Sequence, residues 1–339
     1  MENKAIKEIF DLGFPWQTAD PFLFCVHHED FYPKGNGALG PDESISDRLT
    51  GQDFDPGNKW RMYHGTEVPG FPAHPHVGFE TVTIVREGMV DHSDSLGAAG
   101  RFGNGDVQWM TAGKGVQHAE MFPLLNEHED NPLKLFQIWL NLPRSAKKVN
   151  PHFKMLWHED IPVVVHKDNH ELTTTIEIIA GHIEQTHAPE PAPDSWAADT
   201  ENEVAIWHLK MQPKAIYTLP KASAGINRNL YFFKGESIEL NNQEIIDHKG
   251  ISINSDQSVT ISNGAQESNL LLLQGKPINE PVVQHGPFVV NEAHEINETI
   301  NAFQQTQFGG WPWPSTEHTH APDEGRFALY ANGKKEKKE

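Results

Sequence analysis

The chain has 339 residues, enough for two domains or one large one with a sizeable core. Hydrophobic residues make up 37% and charged residues 22%, which excludes a disordered chain. A net charge of −20, from 27 basic and 47 acidic residues, repels phosphate backbones and argues against direct nucleic-acid binding; it also suits a soluble cytoplasmic protein.

In chain order, residues 2–12 place Ile6, Ile9 and Phe10 at helical spacing, so a short amphipathic helix is expected. Charges spread through this segment leave no apolar centre, so it does not read as a signal peptide. Cys25 is the only cysteine, beside Phe22 and Phe24; it reads as a small buried hydrophobe in a reducing compartment. Residues 30–70 are rich in Gly, Pro and Asp ("PKGNGALGPDES", "DFDPGNKW") and read as a long loop of the kind that covers a site.

From residue 79 the signals are short and of β type: "FETVTIVREG", "MVDHSDSLG", "GNGDVQWMTAG", "GVQHAEMF" and "LKLFQIWLNLP". In the third of these Val107, Trp109 and Thr111 alternate with Gln108 and Met110. "NLPRSAKKVNPHF", 141–153, interrupts the rhythm and reads as a domain boundary, giving domains 1–150 and 151–339. Beyond it, "TTTIEIIAG", "EVAIWHLKM", "NLYFFKGESIEL", "ISINSDQSVTIS" and "SNLLLLQG" repeat the strand rhythm. Residues 291–306 read as a C-terminal helix, with Asn291 as cap and Ile296, Ile300 and Phe303 on one face. "GKKEKKE" reads as a solvated, disordered end. The longest aliphatic run, Leu270 to Leu273, is far too short to span a bilayer, so no membrane partner is expected. The whole is an all-β chain of two antiparallel barrels or jelly rolls, one rhythm written twice, with a C-terminal helix.

Two residue pairs carry chemistry. On a strand, i and i+2 share a face, so His74 and His76 point one way, and so do His118 and Glu120. If neighbouring strands turn both pairs inward, three imidazoles and a carboxylate converge. That thiolate-free set suits Fe(II), and also Mn, Ni, Cu or Zn, and leaves coordination positions open. The spacing alone leaves a bland reading standing, because 20 histidines in this length give roughly one His-x-His by chance. A second such pair, His318 and His320, reads as tail loop, and Pro75 fits only a strand start, edge or bulge.

The stretch "HPHVGFETVTIVREGMVDHSDSLGAAGRFGNGDVQWMTAGKGVQHAEMF" resembles the signature of the pirin family, and "EPVVQHGPFVVN" at 280–291 is similar to a pirin stretch too. The resemblance runs from about Asp20 to Phe303. It implies a bicupin with iron in the N-terminal barrel only, held by His74, His76, His118 and Glu120; recombinant protein would also take Ni, Zn, Mn or Cu. It implies two alternative functions. One is a quercetinase-like dioxygenase that acts on a flavonol or enol with O2, with Glu120 as base and the 30–70 loop as gate. The other is a metal-dependent regulatory protein that binds a transcription factor or a metabolic enzyme. Two departures stand out: Val77 where members often carry a basic residue, and an added N-terminal loop region and "FGGWPWP" tail. In the second half, counting back from Gly235 lands in "PKASAG", 220–225, with no histidine pair; His248 and His285 are isolated.

Overall fold

The computed structural model describes residues 4–339. Its first ten strands are β1 (Ile6–Asp11), β2 (Phe22–Tyr32), β3 (Gly70–His76), β4 (Phe79–Glu87), β5 (Met89–Asp94), β6 (Ala99–Gly103), β7 (Val107–Thr111), β8 (Val116–Met121), β9 (Asn131–Asn141) and β10 (His152–Leu156). The later strands are given below by range. The α-helix found among the described residues is α1 (Ala293–Thr306). The fold is the two-domain, mostly β cupin fold.

The chain forms two compact units, and neither is continuous in sequence. Among the described residues the first holds 4–26, 139–141 and 159–279, and the second holds 27–138, 142–158 and 280–339. The chain does pass between units around 139–159. However, residues 4–26 join the second-half barrel and the last 60 join the first-half barrel, so a single cut at 150 does not describe the units.

The second-half barrel is built on a seven-stranded sheet. Its order is β1, Lys249–Ile253, Asn227–Lys234, Ser268–Gly275, Ala205–Met211, Thr173–Ala180, Val163–Lys167. Residues 6–11 are therefore a strand, not the helix that Ile6, Ile9 and Phe10 suggested. A helix of about eleven residues is marginal alone, whereas the open edge at Lys249–Ile253 offers a full ladder, with Ile9 opposite Ile251 and Phe10 opposite Gly250. The core is aliphatic, with Ile178, Leu209, Leu230, Leu270 and Leu272 fully enclosed. "ISINSDQSVTIS" is two strands, Lys249–Ile253 and Val259–Asn263, because the polar residues between them turn the chain.

The first-half barrel pairs a five-stranded sheet, β10-β7-β4-β9-β2, with a six-stranded one that ends β6-β5-β8-β3. All five residues of β7 are buried, so the alternation read there divides two covered faces, not an inner from an outer one. The 33–69 segment lacks regular strands, yet Trp60, Met62 and Tyr63 are buried in the core of this unit. Arg61 pairs with buried Asp30 at 2.8 Å, and Tyr63 donates to the same carboxylate at 2.7 Å.

The C-terminal residues are ordered against this barrel. Helix α1 starts where the Glu295 carboxylate accepts from the N–H groups of Asn291 and Glu292, so the cap lies one residue beyond Asn291. Phe308 follows and packs on Gly115, where a Cβ would come within 2.6 Å of the ring. Arg326–Leu329 then pairs with β6, and Lys335–Lys338 pairs with Arg326–Leu329. The lysine-rich end is thus a strand and not a disordered tail; an exposed, charged outer strand is a usual way to close a sheet edge.

Candidate metal centre

β3 and β8 pair antiparallel with His74 directly opposite His118 and His76 opposite Val116. Since side chains alternate, His74, His76, His118 and Glu120 share the inner face. β3 is the outermost strand of its sheet, which is where Pro75 can sit without breaking a ladder. One ring nitrogen from each of His74, His76 and His118 lies within 4.8 Å of the others. Nε2 of His76 is 3.0 Å from Nε2 of His118, and Glu120 Oε2 is 3.8 Å from the latter. Two nitrogens held at about 2.1 Å from one ion and at right angles would be about 3.0 Å apart, so the pair is spaced as the edge of a coordination sphere.

The protonation states agree with ligand duty. Burial pushes the His74 pKa down to about 4 and those of His76 and His118 well below the ordinary histidine value, the neighbouring rings adding to the effect. At neutral pH all three are neutral and offer lone pairs. The Nδ1–H of His74 donates to the carbonyl of Pro72 at 2.8 Å, which leaves Nε2 as the free acceptor. The donor set therefore fits a divalent first-row metal.

Burial raises the Glu120 pKa, while hydrogen bonds from Thr83 and Gln137 oppose that shift. The Thr83 hydroxyl lies 2.8 Å from Glu120 Oε1 and 2.8 Å from Gln137 Oε1, and Gln137 Nε2 donates to Glu120 Oε2 at 2.6 Å. Thr83 has one proton for two acceptors. With Glu120 ionised, the hydroxyl serves Glu120. With Glu120 protonated at Oε1, the carboxyl donates to Thr83 and the hydroxyl turns to Gln137.

Three more residues of this barrel escaped the sequence reading. His92 on β5 is fully buried and pairs in register with Glu120; its ring stands 5.5 Å from that of His118 and stacks on Phe153 at 5.0 Å. Gln108, opposite Thr83, and Thr81 share the Thr83 face. Both amide atoms of Gln108 and the hydroxyl of Thr81 are buried with no hydrogen-bond partner among the described residues. A lone histidine in "MVDHSDSLG" carries no pair spacing, but strand alternation with Val90 and Asp94 was a usable signal. His318 and His320 lie outside regular structure, as a tail loop does, but they are packed in place. Trp313 stacks on His318 at 4.9 Å, and the His320 N–H donates to Asp91 at 2.8 Å.

Two cupin barrels, one of them carrying three neutral imidazoles and a carboxylate on paired strands, define a bicupin with a metal-binding histidine cluster. Comparison with known proteins narrows this class. The Pirin family model matches residues 16–140, and the Pirin C-terminal cupin domain matches 206–309. The chain belongs to the pirin family. It is 34% identical to rat (Rattus norvegicus) pirin over 266 residues, 76% of this chain and 83% of that protein. It is 33% identical over 241 residues to a Pseudomonas aeruginosa protein provisionally named a quercetin 2,3-dioxygenase, covering 70% and 79% of the two chains. A crystal structure of quercetin 2,3-dioxygenase from Acinetobacter baumannii superposes with a TM-score of 0.68 at 28% identity, over 91% of this chain and 96% of that one. The 30–70 segment falls within the first family match, and residues 310–339 lie beyond both matches.

Proposed function

We propose that this protein is a mononuclear iron dioxygenase that cleaves a flavonol or related enol with O2, with His74, His76, His118 and Glu120 as metal ligands. The observation that carries the reading is a cluster of three neutral imidazoles with a carboxylate 3.8 Å from the His118 Nε2, whose hydrogen-bond ring can hold a proton. The likeness to a structure named quercetin 2,3-dioxygenase supports the substrate class. Fe(II) held by these donors supplies Lewis acidity and electrons for O2 chemistry. The chain supplies the rest. Glu120 takes the enol proton, and Thr83 and Gln137 hold the carboxylate in either protonation state. Gln108 and Thr81 offer unpaired polar groups to a substrate, and His92 with Phe153 walls the barrel behind His118. Within residues 30–70, Trp60, Met62 and Tyr63 are anchored in the core of this unit, so any gating motion is confined to the parts between anchors.

The test is anaerobic Fe(II) loading of the full chain, then O2-uptake measurement over a panel of flavonols and other enols. Stoichiometric O2 uptake with at least one of them is expected. No uptake with any, together with a stoichiometric protein partner in pull-downs, would replace this reading with the regulatory one. One observation favours that second reading: His76 and Glu120 are each 3% exposed and His118 is fully enclosed, with His74 alone partly exposed, so a metal there has little open surface for a substrate. No described helix is long and apolar enough to cross a membrane. The single, buried Cys25 supports a cytoplasmic setting.

A further inference from the structure

The second-half barrel has a polar site of its own. Its inner face is apolar through Trp207, Leu230 and Leu272. Two residues along the same strands the packing changes: Arg228 stands opposite Gln274, and Gln274 opposite Ala205. There the barrel opens on a cavity of about 1110 Å³ lined by these residues with Trp207 and Tyr217. Arg228 is only 2% exposed. Among the described residues its Nε and Nη1 have no hydrogen-bond partner, and neither has Oε1 of Gln274.

A buried guanidinium without acceptors is strongly unfavourable, so such groups are found paired or set against a ligand. Glu203 and Tyr217 are its nearest charged or ionisable influences, and neither makes an ion pair or hydrogen bond with it. Glu203 instead accepts from the Ser223 N–H at 3.1 Å. Burial lowers the Arg228 pKa to about 10, so it remains a cation at neutral pH. Nothing in the metal chemistry above uses this group.

We propose that the second-half barrel binds a small organic monocarboxylate in this cavity, with the carboxylate on Arg228 and the organic body against Trp207 and Tyr217. One guanidinium balances one negative charge. In the rest of the lining five carboxylates, Asp168, Glu184 and Asp199 among them, outnumber the two lysines, Lys167 and Lys221, and that net negative charge disfavours a phosphate dianion. The volume suits a ligand of metabolite size.

The test is calorimetric titration of full-length, metal-bearing protein with benzoate and with its neutral isostere benzamide at low ionic strength. Benzoate should saturate one site per chain and bind at least tenfold more tightly than benzamide. Arg228→Gln should weaken benzoate at least tenfold with metal content unchanged, since charge-assisted hydrogen bonds are lost. A His76→Ala plus His118→Ala variant should still bind benzoate, which separates this site from carboxylate ligation of the metal. A crystal soaked in 4-iodobenzoate should place the iodine in the second-half barrel beside Arg228, a result that needs no variant to fold. Equal binding of benzoate and benzamide, unchanged binding by Arg228→Gln, or iodine located elsewhere would overturn the proposal.

Discussion

Gln137 holds Glu120 from one side: its amide donates to Oε2 at 2.6 Å, and its carbonyl competes with Glu120 for the single proton of Thr83. This arrangement makes Thr83 the relay that adapts to the charge on Glu120. Thr83→Val keeps the side-chain volume and removes the relay. It should leave metal content near wild type and lower O2-dependent turnover by about tenfold, with the acid limb of the rate profile displaced. Metal analysis beside steady-state rates across pH checks this; unchanged rates would remove Thr83 from the reaction.

Ligand loss should be visible without any assay of activity. His76→Ala plus His118→Ala removes two of the clustered nitrogens and should reduce bound metal to a small fraction of an equivalent by elemental analysis. A full equivalent in that variant would place the metal elsewhere. A recombinant sample holding Ni or Zn is compatible with the site, because imidazole and carboxylate donors bind these more tightly than Fe(II).

Glu120→Gln tests the base separately. The amide can still ligate weakly but cannot take a proton, so part of the metal should remain while turnover falls about a hundredfold or more. Turnover that tracks metal content alone would assign Glu120 to ligation only.

His28 gives the barrel an acid sensitivity of its own. Burial, with Arg61 and His27 adding, pushes its pKa down to about 3, and its ring bonds to the Tyr63 hydroxyl at 2.7 Å. Between about pH 6.5 and 3 the unfolded chain binds a proton here that the native chain does not. Stability from this residue is therefore complete above pH 6.5 and falls as the pH drops, by about 2 kcal/mol at pH 5. His28→Gln should lose less stability than wild type between pH 7 and pH 5 in denaturant titrations. Parallel losses would contradict the assignment.

Arg101 ties the C-terminal segment to the barrel. It meets both oxygens of buried Asp91 at 2.7 Å and also donates to the carbonyls of His320, Ala321 and Pro322. Arg101→Met leaves Asp91 buried without its partner and should cost about 3–5 kcal/mol. The denaturation midpoint measures this; a loss under 1 kcal/mol would mean that the His320 N–H alone satisfies Asp91.

What the sequence revealed followed from local rules. The i, i+2 pairs and the strand rhythm depend on side-chain alternation, which is written in consecutive residues. His74, His76, His118 and Glu120 were thus placed on one face before any register was known; β3 and β8 bring the three histidines together, with Glu120 3.8 Å from His118. Thr83, Gln137 and His92 were not found, because their roles come from strands that become neighbours only in the folded sheets. Residues 6–11 and 335–338 failed for a related reason. Each is too short to fix its own conformation, and each takes that of the sheet edge it joins. Arg228 reads as an ordinary surface cation until burial is known.

The exchange of chain ends between the two units has a consequence for biosynthesis. The strands bearing His74 and His118 are made long before Arg326–Leu329, which covers the edge of β6. At roughly 5–20 residues per second the nascent first-half barrel waits many seconds with that edge bare. Cutting the gene at residue 150 would leave each half without a segment that belongs to its unit. Metal loading that requires the completed sheet must then follow synthesis of Arg326–Leu329, long after the histidine-bearing strands are made.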